Sequence, residues 1–403
     1  MTMQADAPTP QAGARHAAVP IWLLAIVTFS GTLAMHIFVP ALPSAAADLK
    51  ASIAEMQLTV SLYIAGLAVG QLVYGPLADR FGRRRVLMWG LVLFTFSCLA
   101  AVLAPNAEML IVTRLFQAFG GCAGLVIARA IVRDTSGVDD TARRLAIMNL
   151  MVVIGPGAAP IIGGLIATSL GWRAIFAALS AMGAALIWLT WRSIPETQAR
   201  TGDARFSTFA RNYGRLLTSP RFLALSIGGG CATTSTYAYV ASAPFIFGND
   251  LGRPAHETGI YLALLMVGIW IGSLVANRLI GKIPLRRMLV LANFVSVLAA
   301  FAFLVAVVGG FLSVSIAVGS MTTMMVGIGV ASPALMTEAF GVNPAVIGSA
   351  SGLYGSAQMV VGAICATLAS LGSHPAFAAG LVVAVAALIA QFCIWLALRS
   401  QPA

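Results

Sequence analysis

The sequence predicts an all-α membrane protein of twelve transmembrane helices in two pseudo-symmetric six-helix bundles. Three observations lead there. Of 403 residues, 59% are hydrophobic and only 9% charged, whereas about a quarter are charged in soluble domains. The apolar runs last about 20 residues, the length a helix needs to cross the hydrocarbon core. They also lack the two-residue alternation of a barrel strand. A soluble chain of this size has no core large enough to hide so much apolar surface, and within lipid only helices and closed barrels satisfy their own backbone groups.

The elements follow in order. Residues 1–19 form a small, polar tail. The first apolar run, from Ile21 to Leu42, is longer than the 7–15-residue core of a secretory signal and reads as a retained first span. The predicted spans are 20–42, 56–77, 86–104, 109–131, 145–168 and 174–193, then, after the polar segment 194–221, 222–246, 258–280, 287–308, 312–335, 345–370 and 376–397. The bundles are thus 20–193 and 222–398, joined by the linker 194–221, with a short tail at 399–403.

Alternate gaps hold Arg80, Arg83, Arg84, Arg85; Arg129, Arg133, Arg143, Arg144; Arg192, Arg200, Arg205, Arg211, Arg215, Arg221; and Arg278, Lys282, Arg286, Arg287. With Arg15 and Arg399 these are 20 of the 24 basic residues. Lys50, Arg173 and Arg253 fall on the other side, and Arg114 inside a span. The positive-inside rule makes the rich side, and both termini, cytoplasmic. The +11 net charge is therefore topological. It forms no groove for nucleic acid, which is not an expected partner.

The five cysteines lie in apolar runs without metal-like spacing, so packing is their expected role and no metal is expected. No G-x-x-x-x-G-K-[ST] loop occurs, which argues against an ATP-driven pump. "GSASG" (348–352) carries Ala350 where a nucleophile elbow has its serine, so it reads as helix packing and the chain is not expected to be an enzyme. The stretches "GPLADRFGRRRVL" (75–87) and "NRLIGKIPLRRML" (277–289) are weak copies of one another. Two similar six-span halves are a transporter signature, with the substrate site between them near the midplane.

Within the spans, polar groups are few. Arg114 either faces a central cavity together with Gln117, nearly one turn on, or snorkels to the headgroups. His36 is the one titratable group well inside a span that suits proton carriage. It either carries the proton or acts as a neutral hydrogen-bonding contact. Tyr63, Asn149, Tyr237, Tyr239, Tyr354 and Gln358 are candidate cavity residues, since apolar pockets with a few polar groups suit amphiphilic compounds. No carboxylate falls in the middle of a span, which favours neutral or zwitterionic substrates. Gly155, Pro156, Pro160, Gly163 and Gly164 crowd the fifth span and read as a bent, closely packed hinge.

At this point the chain resembles the major facilitator superfamily. "GPLADRFGRR" looks like that family's loop between helices 2 and 3, "RLFQAFGG" (114–121) is similar to its helix-4 motif, and "GPGAAPIIGG" (155–164) resembles its helix-5 exporter motif, except that Ala159 stands where the pattern has glycine. "LPSAAADL", "IPET" (194–197), "YAYVASAPFIF" (237–247) and "ASGLYGSAQ" (350–358) together look most like the bicyclomycin/chloramphenicol (Bcr/CflA) branch of proton-driven drug exporters. His36, in "MHIFVPALP", departs from that branch, which has an acid in the corresponding segment.

The resemblance implies a drug antiporter of the bacterial cytoplasmic membrane, powered by the proton gradient with no cofactor. Its expected partners are a small-molecule drug, protons and the bilayer, with the chain acting as a monomer. It also implies a conformational latch of Gly75, Asp79, Arg80, Gly82, Arg83 and Arg84, with Asp79 capping helix 11 near Pro344. Gly75 would allow close approach of helices and Gly82 a positive φ. The bland alternative for this loop is a topology anchor, and the rival function is an importer of a small metabolite.

Overall fold

The structure, a computed structural model, describes residues 19–136, 138–197, 206–343 and 347–399. All regular structure among them is helical. The chain runs through α1 (Ile21–Ile37), a 3-10 turn (Val39–Ala41), α2 (Leu42–Leu49), α3 (Ile53–Phe81), α4 (Arg83–Val102), α5 (Ala107–Thr135), α6 (Val138–Ser169) and α7 (Trp172–Ser193). After α8 (Phe206–Leu217) come α9 (Pro220–Thr233), α10 (Thr236–Phe245) with a π turn (Ile246–Asp250), α11 (Ala255–Leu279), α12 (Leu285–Val308), α13 (Val314–Gly341), α14 (Ile347–Ser370) and α15 (Pro375–Arg399).

Among the described residues, ten helical segments are long and apolar enough to cross a membrane, counting Ile21–Leu49 as one. Two expected spans depart from a plain rod. The first breaks after Ile37, because Pro40 and Pro43 supply no backbone N–H to continue the ladder. The seventh, read as a continuous 222–246, is two helices. Its break falls in the hydroxyl run Thr233–Thr236, where side chains bond back to carbonyls of the preceding turn: Thr234 Oγ1 donates to the Gly230 carbonyl at 2.9 Å, and Ser235 Oγ to Cys231 at 2.7 Å. The expected fifth span lies within α6, whose apolar part is Ile154–Ser169.

Several helices overrun their apolar stretch. At 29 residues each, α3 and α5 are longer than the roughly 20 residues that hydrocarbon requires, since caps and not hydropathy set where a helix begins. Ser52 and Glu55 form a capping box on α3, and Asn106 accepts the Met109 N–H at 2.9 Å on α5. The segment 194–221 is not merely a linker, for it contains α8.

Helices α1–α7 pack mainly on one another, as do α9–α15, and the pairings repeat. The α3–α5, α4–α5 and α4–α7 contacts have counterparts in α11–α13, α12–α13 and α12–α15. The repetition extends to glycines. A Cβ at Gly66 would strike Leu115 and Ala118, and one at Gly268 would strike Thr322 and Met325. Gly70 meets Cys122 as Gly272 meets Val326 and Gly329. Close backbone approach at small residues is how helices gain contact when lipid offers no hydrophobic drive. The two groups meet chiefly along α3–α14 and α6–α11.

Candidate functional site where the two helix groups meet

Arg114 is fully buried and does not snorkel. Its environment follows from the break in α1. The last carbonyls of any helix lack intrahelical donors, and here the Phe38 N–H turns to the His36 oxygen. Arg114 fills the gap from α5: Nη1 donates to the Ala34 carbonyl at 2.9 Å and Nη2 to Met35 at 3.5 Å. Nη1 also donates to Gln117 Oε1 at 2.6 Å, and Gln117 Nε2 reaches Cys98 Sγ at 2.9 Å. The guanidinium carbon lies 4.1 Å from the Tyr63 ring centre, with Phe38 at 5.4 Å and Phe176 at 5.8 Å. Tyr63 in turn donates to the Gly31 carbonyl at 2.7 Å.

A cation is thus held without a carboxylate, by the negative end of a helix and aromatic faces. This cluster sits inside the first group of helices, behind the junction.

His36 is at the junction. It is buried, and its ring centre lies 6.3 Å from that of Tyr237 in the other group. Its Nδ1 is 3.0 Å from the Thr32 carbonyl. A carbonyl only accepts, so Nδ1 carries the hydrogen and Nε2 keeps a free lone pair for a proton or substrate.

Across the junction, Gln358 Nε2 donates to Thr233 Oγ1 at 3.0 Å and to Tyr354 Oη at 3.3 Å, while Thr234 Oγ1 donates to the Gln358 carbonyl at 2.6 Å. Gln358 therefore staples the α9–α10 break. Tyr239 lies apart from this group, edge-on to Phe303 at 5.5 Å. The side chain of Asn149 is outside the described residues. Among the described residues no aspartate or glutamate is buried.

The hinge glycines of α6 touch both groups. A Cβ at Gly155 would crowd Thr32, one at Gly163 would overlap the Ile37 carbonyl, and one at Gly164 would press on Ala255 and His256 of α11. Gly259 of α11 packs on the Pro160 carbonyl, next to the Pro156 and Pro160 positions inside α6. At the same, charge-poor end, Gln57 Nε2 donates to Ser242 Oγ at 2.9 Å, both residues being buried. This bond between groups was not foreseen, because a lone glutamine in an apolar helix reads as packing.

At the arginine-rich end, Arg83 bridges Asp79 at 2.6 Å and Asp134 at 3.0 Å. Pro344, the expected neighbour of Asp79, lies outside the described residues. Gly82 has φ +97°, and its missing Cβ makes room for the Glu196 carboxylate, which accepts the Arg84 N–H at 3.3 Å. Arg80 stacks on Phe81 at 5.2 Å. Beside Gly75 a Cβ would meet nothing within 4 Å, so close helix approach is not what this glycine provides here. Tyr213 of α8, unmarked by any sequence motif, reaches the same region. Burial and then the Asp79 charge push its phenol above the ordinary range, and its hydroxyl adjoins Gly352.

A polytopic helical chain with two groups of helices repeating one packing plan, and polar side chains where they meet, has the build of a membrane transporter. A sequence model of the Major Facilitator Superfamily matches residues 24–366, and the chain belongs to that superfamily. It is a multi-pass membrane transporter and not an enzyme. The chain is 28% identical over 379 residues to the MFS-type transporter YdgK of Bacillus subtilis, covering 93% of this chain and 94% of that one. It is 27% identical over 353 residues to the bicyclomycin resistance protein homolog of Haemophilus influenzae, covering 86% and 88%. Among solved structures it resembles a D-xylose-proton symporter, with TM-score 0.74 and 15% identity over 92% of this chain and 97% of that one, a likeness of fold alone.

Proposed function

We propose that the protein exports small amphiphilic, neutral or zwitterionic drugs from the bacterial cytoplasm by proton antiport and alternating access. In this reading the chain crosses twelve times in two six-helix bundles, with α6 and the broken α9–α10 pair among the crossings, and both termini and the arginine-rich end face the cytoplasm. The observation that carries the reading is the His36–Tyr237 pairing across the junction, in an interior whose described residues include no buried carboxylate. A proton or a polar drug group can engage the free Nε2 there, and no fixed anion selects for cations. The similarity to a bicyclomycin resistance protein homolog along most of both chains supports drugs as the cargo. The Gln57–Ser242 bond and the α6–α11 contacts close the outer end, while Asp79 and its arginines stabilise the opposite state, closed to the cytoplasm.

The decisive experiment expresses the chain in a host stripped of its own pumps, with a drug-susceptibility panel and drug-accumulation measurements. Raised resistance with lowered accumulation is expected. Unchanged susceptibility together with growth rescue on a nutrient would replace export by uptake of a metabolite.

A further inference from the structure

We propose that a cleft on the outer surface of the first helix group, away from the junction, binds the phosphodiester headgroup of an anionic phospholipid. The cleft has a volume of about 330 Å³ and opens between the start of α4 and the end of α7, with Arg84, Arg85, Trp89, Trp191 and Glu196 in its walls. Trp89 and Trp191 are 52% and 63% exposed. Exposed tryptophans at the ends of membrane helices sit at headgroup depth, so the two arginines beside them lie at the level of lipid phosphates.

The charge in the cleft is available. Arg84 Nη2 donates to the Trp191 carbonyl at 2.5 Å, which fixes the guanidinium in the wall, and its Nε is buried without a partner. Arg85 is exposed, and among the described residues neither it nor the Arg84 side chain has a carboxylate within ion-pair distance. The one acid present, Glu196, turns its carboxylate onto the backbone at Gly82 and the Arg84 N–H. The first turn of α4 adds the positive end of a helix. Below the cleft, exposed Val92 and Phe96 extend an apolar surface for acyl chains.

Basic pockets between membrane helices favour lipids whose headgroup carries net negative charge. A zwitterionic headgroup brings its own cation against the arginines. The second helix group provides an internal comparison. Its matching turn also carries Arg286 and Arg287, but Leu291 stands where the first copy has Trp89, and Trp395 is stacked by Arg399 at 3.8 Å.

The test is native mass spectrometry of the full-length protein in detergent, titrated with phosphatidylglycerol or with phosphatidylcholine of the same chains. The wild type should retain phosphatidylglycerol preferentially. Arg85→Gln, an exposed position whose loss leaves the fold intact, should weaken that lipid about fivefold and leave phosphatidylcholine unchanged. Arg287→Gln should leave both unchanged. Equal weakening of phosphatidylglycerol by the two substitutions, or no effect of Arg85→Gln, overturns the site.

Discussion

Arg114 on α5 donates to the Ala34 carbonyl on α1 at 2.9 Å, so the end of one membrane helix is capped by a cation from another. The charge and the helix break need each other: the freed carbonyls replace the water a guanidinium would otherwise lose, and the guanidinium occupies acceptors that lipid cannot. Lysine cannot reproduce the planar fork that reaches Ala34, Met35 and Gln117 together. Arg114→Lys should lower stability by about 2 kcal/mol, seen as a reduced thermal unfolding temperature in detergent, with transport reduced as well. An unchanged unfolding temperature would show that the cap carries no energy.

Gln57 and Ser242 tie the helix groups together at the charge-poor end. Gln57→Ala removes about 1 kcal/mol of hydrogen bonding from the state in which they touch, a shift of about fivefold toward separation. Spin labels at Ser44→Cys and His256→Cys, in a background without native cysteines, report the distance between the groups at that end. The ratio of longer- to shorter-distance populations should rise about fivefold. An identical distance distribution in the two proteins would mean that the bond seals nothing.

The glycines separate packing from permissiveness. Gly163→Ala drives a Cβ into the Ile37 carbonyl, and backbone cannot swing aside as a side-chain tip can. A loss of at least about 2 kcal/mol is expected. At Gly75 the space is open and the backbone lies within α3, so Gly75→Ala should be neutral or stabilise the helix by up to about 1 kcal/mol. Comparing the unfolding temperatures of the two variants checks both expectations, and similar losses would contradict the packing described for α6.

What was legible in the sequence follows from what lipid imposes. Long uncharged runs mark the membrane-crossing helices, because hydrocarbon admits few charges. The pairing of Arg114 with Gln117 was legible from helix spacing. The α9–α10 break was not read, although the hydroxyl run Thr233–Thr236 signals it, since hydropathy averages treat threonine as neutral. Gln57–Ser242 and Tyr213 near Asp79 were not legible at all. They join positions far apart in the chain, and only the packing of the helix groups brings them together. The glycine correspondence of Gly66 with Gly268 and Gly70 with Gly272 was present in the repeat, but its purpose appears only when the opposing backbones are seen.

His36 is the residue at which proton coupling can be tested. Its Nδ1 is committed to the Thr32 carbonyl, so Nε2 alone is left to take up or release a proton. If that site carries the coupling ion, His36→Ala abolishes drug-driven proton flux in proteoliposomes, while His36→Asp, which restores a titratable group beside the junction, retains a flux with altered pH dependence. Unchanged pH-dependent export by His36→Ala would exclude His36 as the carrier and leave it a hydrogen-bonding contact for substrate.

Asp79 distinguishes a latch from a topology anchor. Its carboxylate is held by Arg83, which also grips Asp134, and Tyr213 lies in its field. Anchoring the loop requires only the arginines, and Asp79→Asn leaves all of them in place, so insertion and membrane abundance should be unchanged. A carboxylate that stabilises one state through a helix end contributes about 0.3–1 kcal/mol, and up to about 2 when partly buried. Removing it shifts the balance of states between about twofold and thirtyfold, which should cut the transport rate. Transport assays in vesicles carrying matched amounts of the two proteins measure this directly, and wild-type rates in Asp79→Asn would reduce the charged loop to an anchor.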